Sequence, residues 1–405
     1  MKPRIAIVGG GFAGLRALYG LRSKLGEDVQ ITLIDSRSTS LAKPALPEVG
    51  LSGKSVDQVR FPLQPILEHA GGTFLQGNVD RVDPVRREIL LDDGRFVGFD
   101  YVFLAVGALK DYDATPGFSE YGYSICDDTH APRAWEALKR FEGGPIVVGS
   151  ALSEFGSYDG IPALAAPCEG PIGEIMFMLD RELRHRGLRD RTPITVFSPA
   201  EIFFEDVGED VRGAVGPLIA QHDITVHTSK VLTRIAEDHV EFADGTTLPS
   251  AMTFIIPVYR GNPMVERSRL GDEHGFVPTD RTMRHIDHAN VFAAGDGTAL
   301  AMPKLGHIAV MQADIAVASM VREITGEGEI PPFAPEIFCI MNRGGQDATL
   351  ICSDVFFGGT HDVAMSGKLP HMMKWGFDQY YYHTRGHLPP ELMERGAKAL
   401  LERFD

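Results

Sequence analysis

The amino-acid sequence predicts an α/β protein: two doubly wound units of parallel strand and helix, then a small C-terminal domain. Three stretches predict it. Residues 4–35 read strand, glycine loop, helix, strand, acid. A second unit of the same kind restarts near Pro145. Residues 290–297, NVFAAGDG, then return an apolar strand ending on Gly-Asp, followed by a long periodic helix.

The first stretch is the most specific. Residues 4–8, RIAIV, form a short apolar run suited to a buried parallel strand. Gly9, Gly11 and Gly14 give G-x-G-x-x-G, and Leu15, Ala17, Leu18 and Leu21 continue at helical spacing. A second apolar run, residues 31–34, ends on Asp35, roughly 20 residues past the last glycine. Gly9 permits the tight turn, Gly11 lets the backbone approach a pyrophosphate, and Gly14 lets helix and strand touch. Gly9, Gly11, Ala13 and Gly14 thus line a cradle at a helix N-terminus, where negative charge is favoured. Asp35 is placed to accept bonds from ribose hydroxyls.

The chain has 405 residues, enough for two or three domains and a large core. No run of about 18 apolar residues exists, so no transmembrane helix is expected. The first strand begins at Arg4, which leaves no room for a signal peptide, so the protein is expected on the cytoplasmic side. A net charge of -16 argues against nucleic acid as partner. The four cysteines, Cys126, Cys168, Cys339 and Cys352, are far apart and lack metal spacing. Such residues are either inert core groups or a redox pair assembled by the fold.

Taken in order, residues 41–50, LAKPALPEVG, read as a non-helical, proline-rich loop. Residues 81–107 read as a meander of short strands turning at Asp92-Asp93-Gly94 and ending in the buried run YVFLAV, closed by Gly107. In the second unit, residues 146–148 form a strand, 174–186 a helix and 194–197 the next strand. A hairpin follows at Ala243-Asp244-Gly245, and residues 254–258 are apolar again. Residues 308–324 form a strongly periodic helix, and the chain beyond Pro331 is a tail dense in aromatics. The boundaries read from this are 1–108 with 268–328 for the first domain, 109–267 for the second, and 329–405 for the C-terminal region.

Gly295-Asp296 indicates which nucleotide the first domain holds. A strand ending in Gly-Asp, ahead of a helix N-terminus, carries a carboxylate to a flavin's ribityl hydroxyls in two-domain flavoproteins. Together with the N-terminal fingerprint it points to FAD, with Gly107, Gly295 and Asp296 joining the cradle. The second unit has the shape of a nicotinamide domain, but its loop is Gly149-Ser150-Ala151-Leu152-Ser153-Glu154-Phe155-Gly156. Ala151 replaces the glycine that must approach a pyrophosphate. This domain is expected to have lost its site, so the electrons come from another donor.

Cys168 lies just before a helix N-terminus, where the dipole is expected to lower a thiol's pKa. Glu174 follows about one and a half turns on, as a candidate proton acceptor. Here the sequence resembles the sulfide:quinone oxidoreductases over most of its length. Cys168, Gly170, Pro171 and Glu174 reproduce that family's C-x-G-P-x-x-E. Ser124, Cys126, His130 and Ala131 resemble its third-cysteine segment. Pro303-Lys304-Leu305-Gly306 resembles its flavin-facing P-K-x-G. Cys339 falls where its second redox cysteine lies. Lys374, Phe377 and Tyr381 resemble the helix at its quinone end.

The resemblance implies two Rossmann-like dinucleotide-binding domains with a small C-terminal membrane-facing domain. It implies that Cys168 and Cys339 act as a disulfide or sulfur-bridged pair attacked by hydrosulfide, leaving a persulfide and a thiolate. By this resemblance the thiolate is Cys339, which passes two electrons to FAD. Glu174 and His130 take up protons, Cys126 relays sulfur, and Lys304 stabilises negative charge on the reduced flavin. Electrons then leave to a membrane quinone near Lys374, with polysulfide or sulfur as the other product. A lipid-soluble quinone requires peripheral membrane contact, which His371, Met372, Met373, Trp375, Phe377 and Tyr380 to Tyr382 would supply. The chemistry leaves room for a homo-oligomer. Two rivals share the fold: a type II NADH:quinone dehydrogenase, and the flavoprotein half of a flavocytochrome c sulfide dehydrogenase. A flavin-holding scaffold without turnover is the non-enzymatic alternative.

Overall fold

The computed structural model describes residues 2–154, 163–389, 396 and 398. The chain starts with β1 (Arg4–Val8), α1 (Phe12–Leu25) and β2 (Gln30–Asp35). Ile5, Ala6, Ile7 and Val8 are all buried, as a central strand covered on both faces requires. Residues 41–50 depart from the sequence reading, because α2 (Leu46–Ser52) is a helix preceded by a short 3-10 turn. Pro47 sits in its first turn, where a missing N–H breaks no helical bond, so the proline starts this helix rather than preventing it.

The next strand, β3 (Thr73–Gln76), joins the first sheet, and a three-stranded antiparallel meander between residues 79 and 98 follows. After β4 (Tyr101–Leu104) the chain crosses on β5 (Leu109–Asp111) to the second unit. That unit contains β6 (Gly122–Tyr123), α3 (His130–Arg140), β7 (Ile146–Ser150), α4 (Gly170–His185) and β8 (Ile194–Phe197). It continues through α5 (Glu209–Gln221), β9 (Ile224–His227) and β10 (Met252–Ile256). The return strand, β11 (Val258–Arg260), pairs antiparallel with β5 and brings Lys110 opposite Tyr259.

Last come β12 (Val291–Ala293), α6 (Gly306–Thr325), the antiparallel strands β13 (Ile337–Asn342), β14 (Ala348–Ser353) and β15 (Asp362–Gly367), and α7 (Lys368–His383). The first sheet has the order β12-β4-β1-β2-β3 and the second β6-β10-β7-β8-β9, with every neighbour pair in both parallel. The fold class is therefore the one read from the sequence.

Two contacts set the C-terminal sheet against the second unit. Asp362 accepts the N–H groups of Gly208 and Asp210, at 2.8 and 2.7 Å, at the start of α5. Glu174 on α4 accepts the Asn342 N–H of β13 at 3.0 Å. At Gly173 a Cβ would run into the Met341 sulfur, so the glycine is what lets β13 lie this close to α4.

Candidate active site

The site lies where α4, β13, α6, α7 and one side of α1 converge on a cavity of about 1600 Å³. Cys126, Cys168 and Cys339 all line it, with Glu174, Lys304, Lys374 and Phe377. Cys168 precedes the first turn of α4, and Cys339 arrives on β13. A point built as a Cβ on Gly170 is 3.6 Å from the Cys168 sulfur and 3.9 Å from the Cys339 sulfur. The two thiols, remote in the chain, therefore share one turn of backbone; these two and Cys126 are thiols in this structure. Cys352 lies apart on β14, its sulfur 3.9 Å from Glu336.

The expectation that the helix dipole lowers the Cys168 thiol does not hold. Burial pushes it well above its ordinary value, and Asp206 and the Cys339 sulfur add to this; the Gly170 N–H opposes them. Desolvation outweighs the dipole because a thiolate here has lost its water shell. Burial also takes Cys339 up to about 12, with Glu174 and Asp206 contributing and Lys374 opposing. Reactivity in this pair thus depends on what joins the sulfurs, not on a standing thiolate.

Around the pair lies a group of buried acids, of which the sequence motifs marked only Glu174. Glu169, next to Cys168, accepts the Ser198 hydroxyl at 2.6 Å and the Glu205 N–H at 3.1 Å. Burial pushes Glu169 up to about 8 and Asp206 up to about 6. Glu174 is pushed up to about 7 by burial, despite the pull of Lys374 and the Asn342 N–H. Lys374 itself is buried, donating to Asp378 at 2.7 Å and to the Pro44 carbonyl at 2.9 Å. Glu174 therefore bears on Cys339 on one side and on Lys374 on the other, coupling the sulfur pair to α7.

The glycine cradle sits beyond Phe12. Gly9 has φ +104°, and a Cβ there would enter the Ala105 carbonyl; at Gly14 it would enter the Gly9 carbonyl. At Gly11 and Gly107 it would meet nothing within 4 Å, which leaves room for a ligand. No side chain caps the first turn of α1, so its N–H groups point at that space. Gly295 approaches Ala13, the built Cβ being 3.5 Å from that of Ala13, so the late Gly-Asp and the early fingerprint meet. Asp35 is already engaged, accepting the Gly10 N–H at 2.7 Å and the Arg37 N–H at 2.8 Å. Burial pulls the Asp296 carboxyl upward, but Lys43, Lys110 and Lys304 outweigh it and hold the group below its usual value. These features fit a bound dinucleotide, which the start of α1 and Asp296 would hold. Lys304, lowered to about 8 by burial, donates to the Thr298 carbonyl at 3.0 Å and reaches the cavity wall.

Two candidates lie elsewhere. His130 is not in the cavity wall: its Nδ1 is 2.8 Å from Asp127, and its ring packs on Tyr112 with centroids 3.9 Å apart. Asp127 also accepts the Thr129 and His130 N–H groups, so this pair closes the start of α3 instead of facing the sulfurs. Tyr381 lies behind Phe377, fully buried and stacked on Phe12 with centroids 4.5 Å apart. Lys43, Lys110 and Tyr259 belong to no local motif, and only chain crossing brings them to the site.

In the second unit, Phe155 and Gly156 of the degenerate loop lie outside the described residues. At Gly149 a Cβ would meet the Phe197 ring, and Ala151 is buried. Among the described residues the next helix after β7 is α4, and Cys168 lies just before its first turn. Residues 3–317 match the family described as pyridine nucleotide-disulphide oxidoreductase. The chain belongs to that family. Membership implies a flavin cofactor, which the open cradle accommodates. Among curated relatives, the sulfide-quinone reductase of Aquifex aeolicus is 25% identical over 99% of this chain and 96% of its own length. The mitochondrial sulfide:quinone oxidoreductase of Mus musculus is 24% identical over 78% of this chain and 70% of its own. The crystal structure of the A. aeolicus sulfide:quinone oxidoreductase superposes with a TM-score of 0.87 at 24% identity, covering 98% of this chain and 95% of that one.

Proposed function

We propose that this protein is a sulfide:quinone oxidoreductase that uses FAD. The observation that carries the reading is the meeting of Cys168 and Cys339 at Gly170, inside a cavity that also contains Cys126 and Glu174. The relatives' names support the same substrates. When bound, the flavin supplies a two-electron acceptor on the sulfur side and a donor on the quinone side.

Cys168 and Cys339 start the cycle joined, directly or through sulfur. Hydrosulfide attacks one of them, forming a persulfide there and releasing the other as a thiolate, so the charge is conserved. Glu174 receives a proton in its ionised form, and Lys374 keeps that form accessible. Lys304 places positive charge at the cavity wall.

The quinone end is assigned to Lys374 and Phe377 on α7. That helix exposes Leu369, Met372 and Trp375, the last at 62%. Such a face suits the surface of a bilayer, and among the described residues no helix is long and apolar enough to cross one. In this reading the flavin domain is 1–108 with 268–328, the second unit 109–267 and the quinone-end region 329–405.

Anaerobic mixing tests the reading. Sulfide is expected to bleach the flavin and NADH to leave it yellow, with reoxidation by a soluble quinone and not by cytochrome c. Bleaching by NADH alone would support a type II NADH:quinone dehydrogenase, and bleaching by neither would support a scaffold.

A further inference from the structure

Cys168 sits at the end of a segment that no sheet holds. Residues 163–169 carry neither helix nor strand, and neither do residues 198–208, to which they are bonded. Two glutamates tie these segments together, each reaching across to the other side. Glu169, 2% exposed, accepts the Ser198 hydroxyl on one oxygen at 2.6 Å and the Glu205 N–H on the other at 3.1 Å. The Glu205 carboxylate returns the contact, accepting the Ala165 N–H at 2.8 Å and the Ala166 N–H at 3.3 Å. Ser198 also accepts the Ala200 N–H at 3.1 Å, which fixes the far anchor. The Pro167 carbonyl accepts the Lys304 N–H at 2.8 Å, so the segment before Cys168 is bonded to the one that carries Lys304. Phe204 holds a left-handed backbone, φ +58°, which an aromatic residue takes only under constraint, and its ring lies 3.1 Å from a Cβ built on Gly173 of α4. Glu169 stands at the first unspecified position of C-x-G-P-x-x-E, so the motif does not account for it.

Resting on the sulfide-oxidising reading, we propose that Glu169 is a positioning residue: its two hydrogen bonds, crossed with those of Glu205, hold Cys168 where its sulfur can join that of Cys339. Cys339 is already set by the pairing of β13 with β14. Cys168 has no strand to set it, and a partner left free to wander loses conformational entropy each time the pair closes. Glu169 acts on the sulfur through the backbone of the adjacent residue. The bonds do not need its charge. A carboxylate accepts both donors, while a protonated carboxyl can donate to the Ser198 oxygen and still accept the Glu205 N–H. A glutamine amide can do the same with its NH2 and its carbonyl. Leucine fills a similar volume but takes the acceptor away from the buried Ser198 hydroxyl and from the Glu205 N–H.

The test uses flavin-loaded full-length protein, equilibrated without oxygen in mixtures of reduced and oxidised dithiothreitol. Each disulfide formed passes two electrons and two protons from the pair to dithiothreitol. An alkylating agent then blocks the remaining thiols, and peptide mass spectrometry measures the Cys168–Cys339 disulfide. Glu169→Leu is expected to lower its equilibrium constant about tenfold, a rise of about 30 mV in the potential of the pair. Glu169→Gln is expected to stay within about twofold of wild type, because it keeps both bonds. Ser198→Ala removes one bond and should lower the constant about threefold, which keeps the test open if Glu169→Leu fails to fold or to hold flavin. A wild-type constant in Glu169→Leu or in Ser198→Ala overturns the proposal. So does a Glu169→Gln protein as impaired as Glu169→Leu, since the carboxyl's charge or proton would then matter and not its bonds. A wild type that sulfide bleaches but that forms no Cys168–Cys339 disulfide in any mixture also overturns it, because there is no pair to position. Failure of sulfide to bleach the wild-type flavin overturns the underlying reading, which the absorbance reports separately.

Discussion

Glu174→Gln is expected to remove one titration from flavin reduction by sulfide while leaving the fold in place. Burial pushes this carboxyl up to about 7, with Asp378 and Glu48 adding to it and Lys374 opposing. A group at that value is about one-tenth ionised at pH 6, half at pH 7 and about nine-tenths at pH 8. Only the ionised form accepts a proton, so the wild-type rate carries a factor of about ten between pH 6 and 8. Glutamine has the same shape, and its carbonyl can replace the oxygen that accepts the Asn342 N–H at 3.0 Å. Lys374 keeps Asp378 at 2.7 Å, so its charge stays paired. The variant should therefore fold and lose about 10²- to 10⁴-fold at pH 8. Hydrogen sulfide titrates in the same range, so the quantity to read is the ratio of wild-type to variant rate at each pH, in which the substrate cancels. Anaerobic stopped-flow absorbance gives both rates. A ratio that stays constant from pH 6 to 8, or a variant as fast as wild type at pH 8, refutes Glu174 as the proton acceptor.

Gly11→Val, whose new atoms enter open space, should leave apoprotein stability within about 0.5 kcal/mol but yield colourless protein. Gly14→Val drives into the Gly9 carbonyl and should cost about 3 kcal/mol in denaturant titration; equal costs for the two would contradict the cradle. Stability of the apoprotein should fall as pH rises from about 5 to 8. Glu169, Glu174 and Asp206, raised to about 8, 7 and 6, keep protons in the folded state that the unfolded chain has released. Above that window Lys110 and Lys304, lowered to about 8, bind fewer protons when folded and oppose the fall, while the raised Cys168 and Cys339 thiols continue it. Thermal melts across pH check this, and a melting temperature that climbs from pH 5 to 8 would contradict it. Replacing Met372 and Trp375 together by glutamate should weaken sedimentation with phospholipid vesicles at least tenfold without loss of flavin colour, and unchanged binding would place the membrane contact elsewhere.

Patterns complete within a few turns of chain were legible in the sequence: the G-x-G-x-x-G cradle, the parallel strands as apolar runs, the turn at Asp92-Asp93-Gly94, and the C-x-G-P-x-x-E segment. Each is a local requirement of backbone geometry or burial, so its residues lie side by side. Proline misled at residues 41–50 because its effect depends on where in a helix it falls. Position relative to the cavity was decided only by the tertiary structure. Folding sent His130 into a cap with Asp127 and sank Tyr381 behind Phe377. It brought Lys110 and Tyr259 together through an antiparallel pair separated by most of the second unit. The ionisation of Cys168 was likewise beyond the sequence, which records a helix N-terminus but not the removal of water and the nearby Asp206. Desolvation and charge pairing are sums over neighbours in space, and those neighbours exist only once the two sheets and the C-terminal strands have packed.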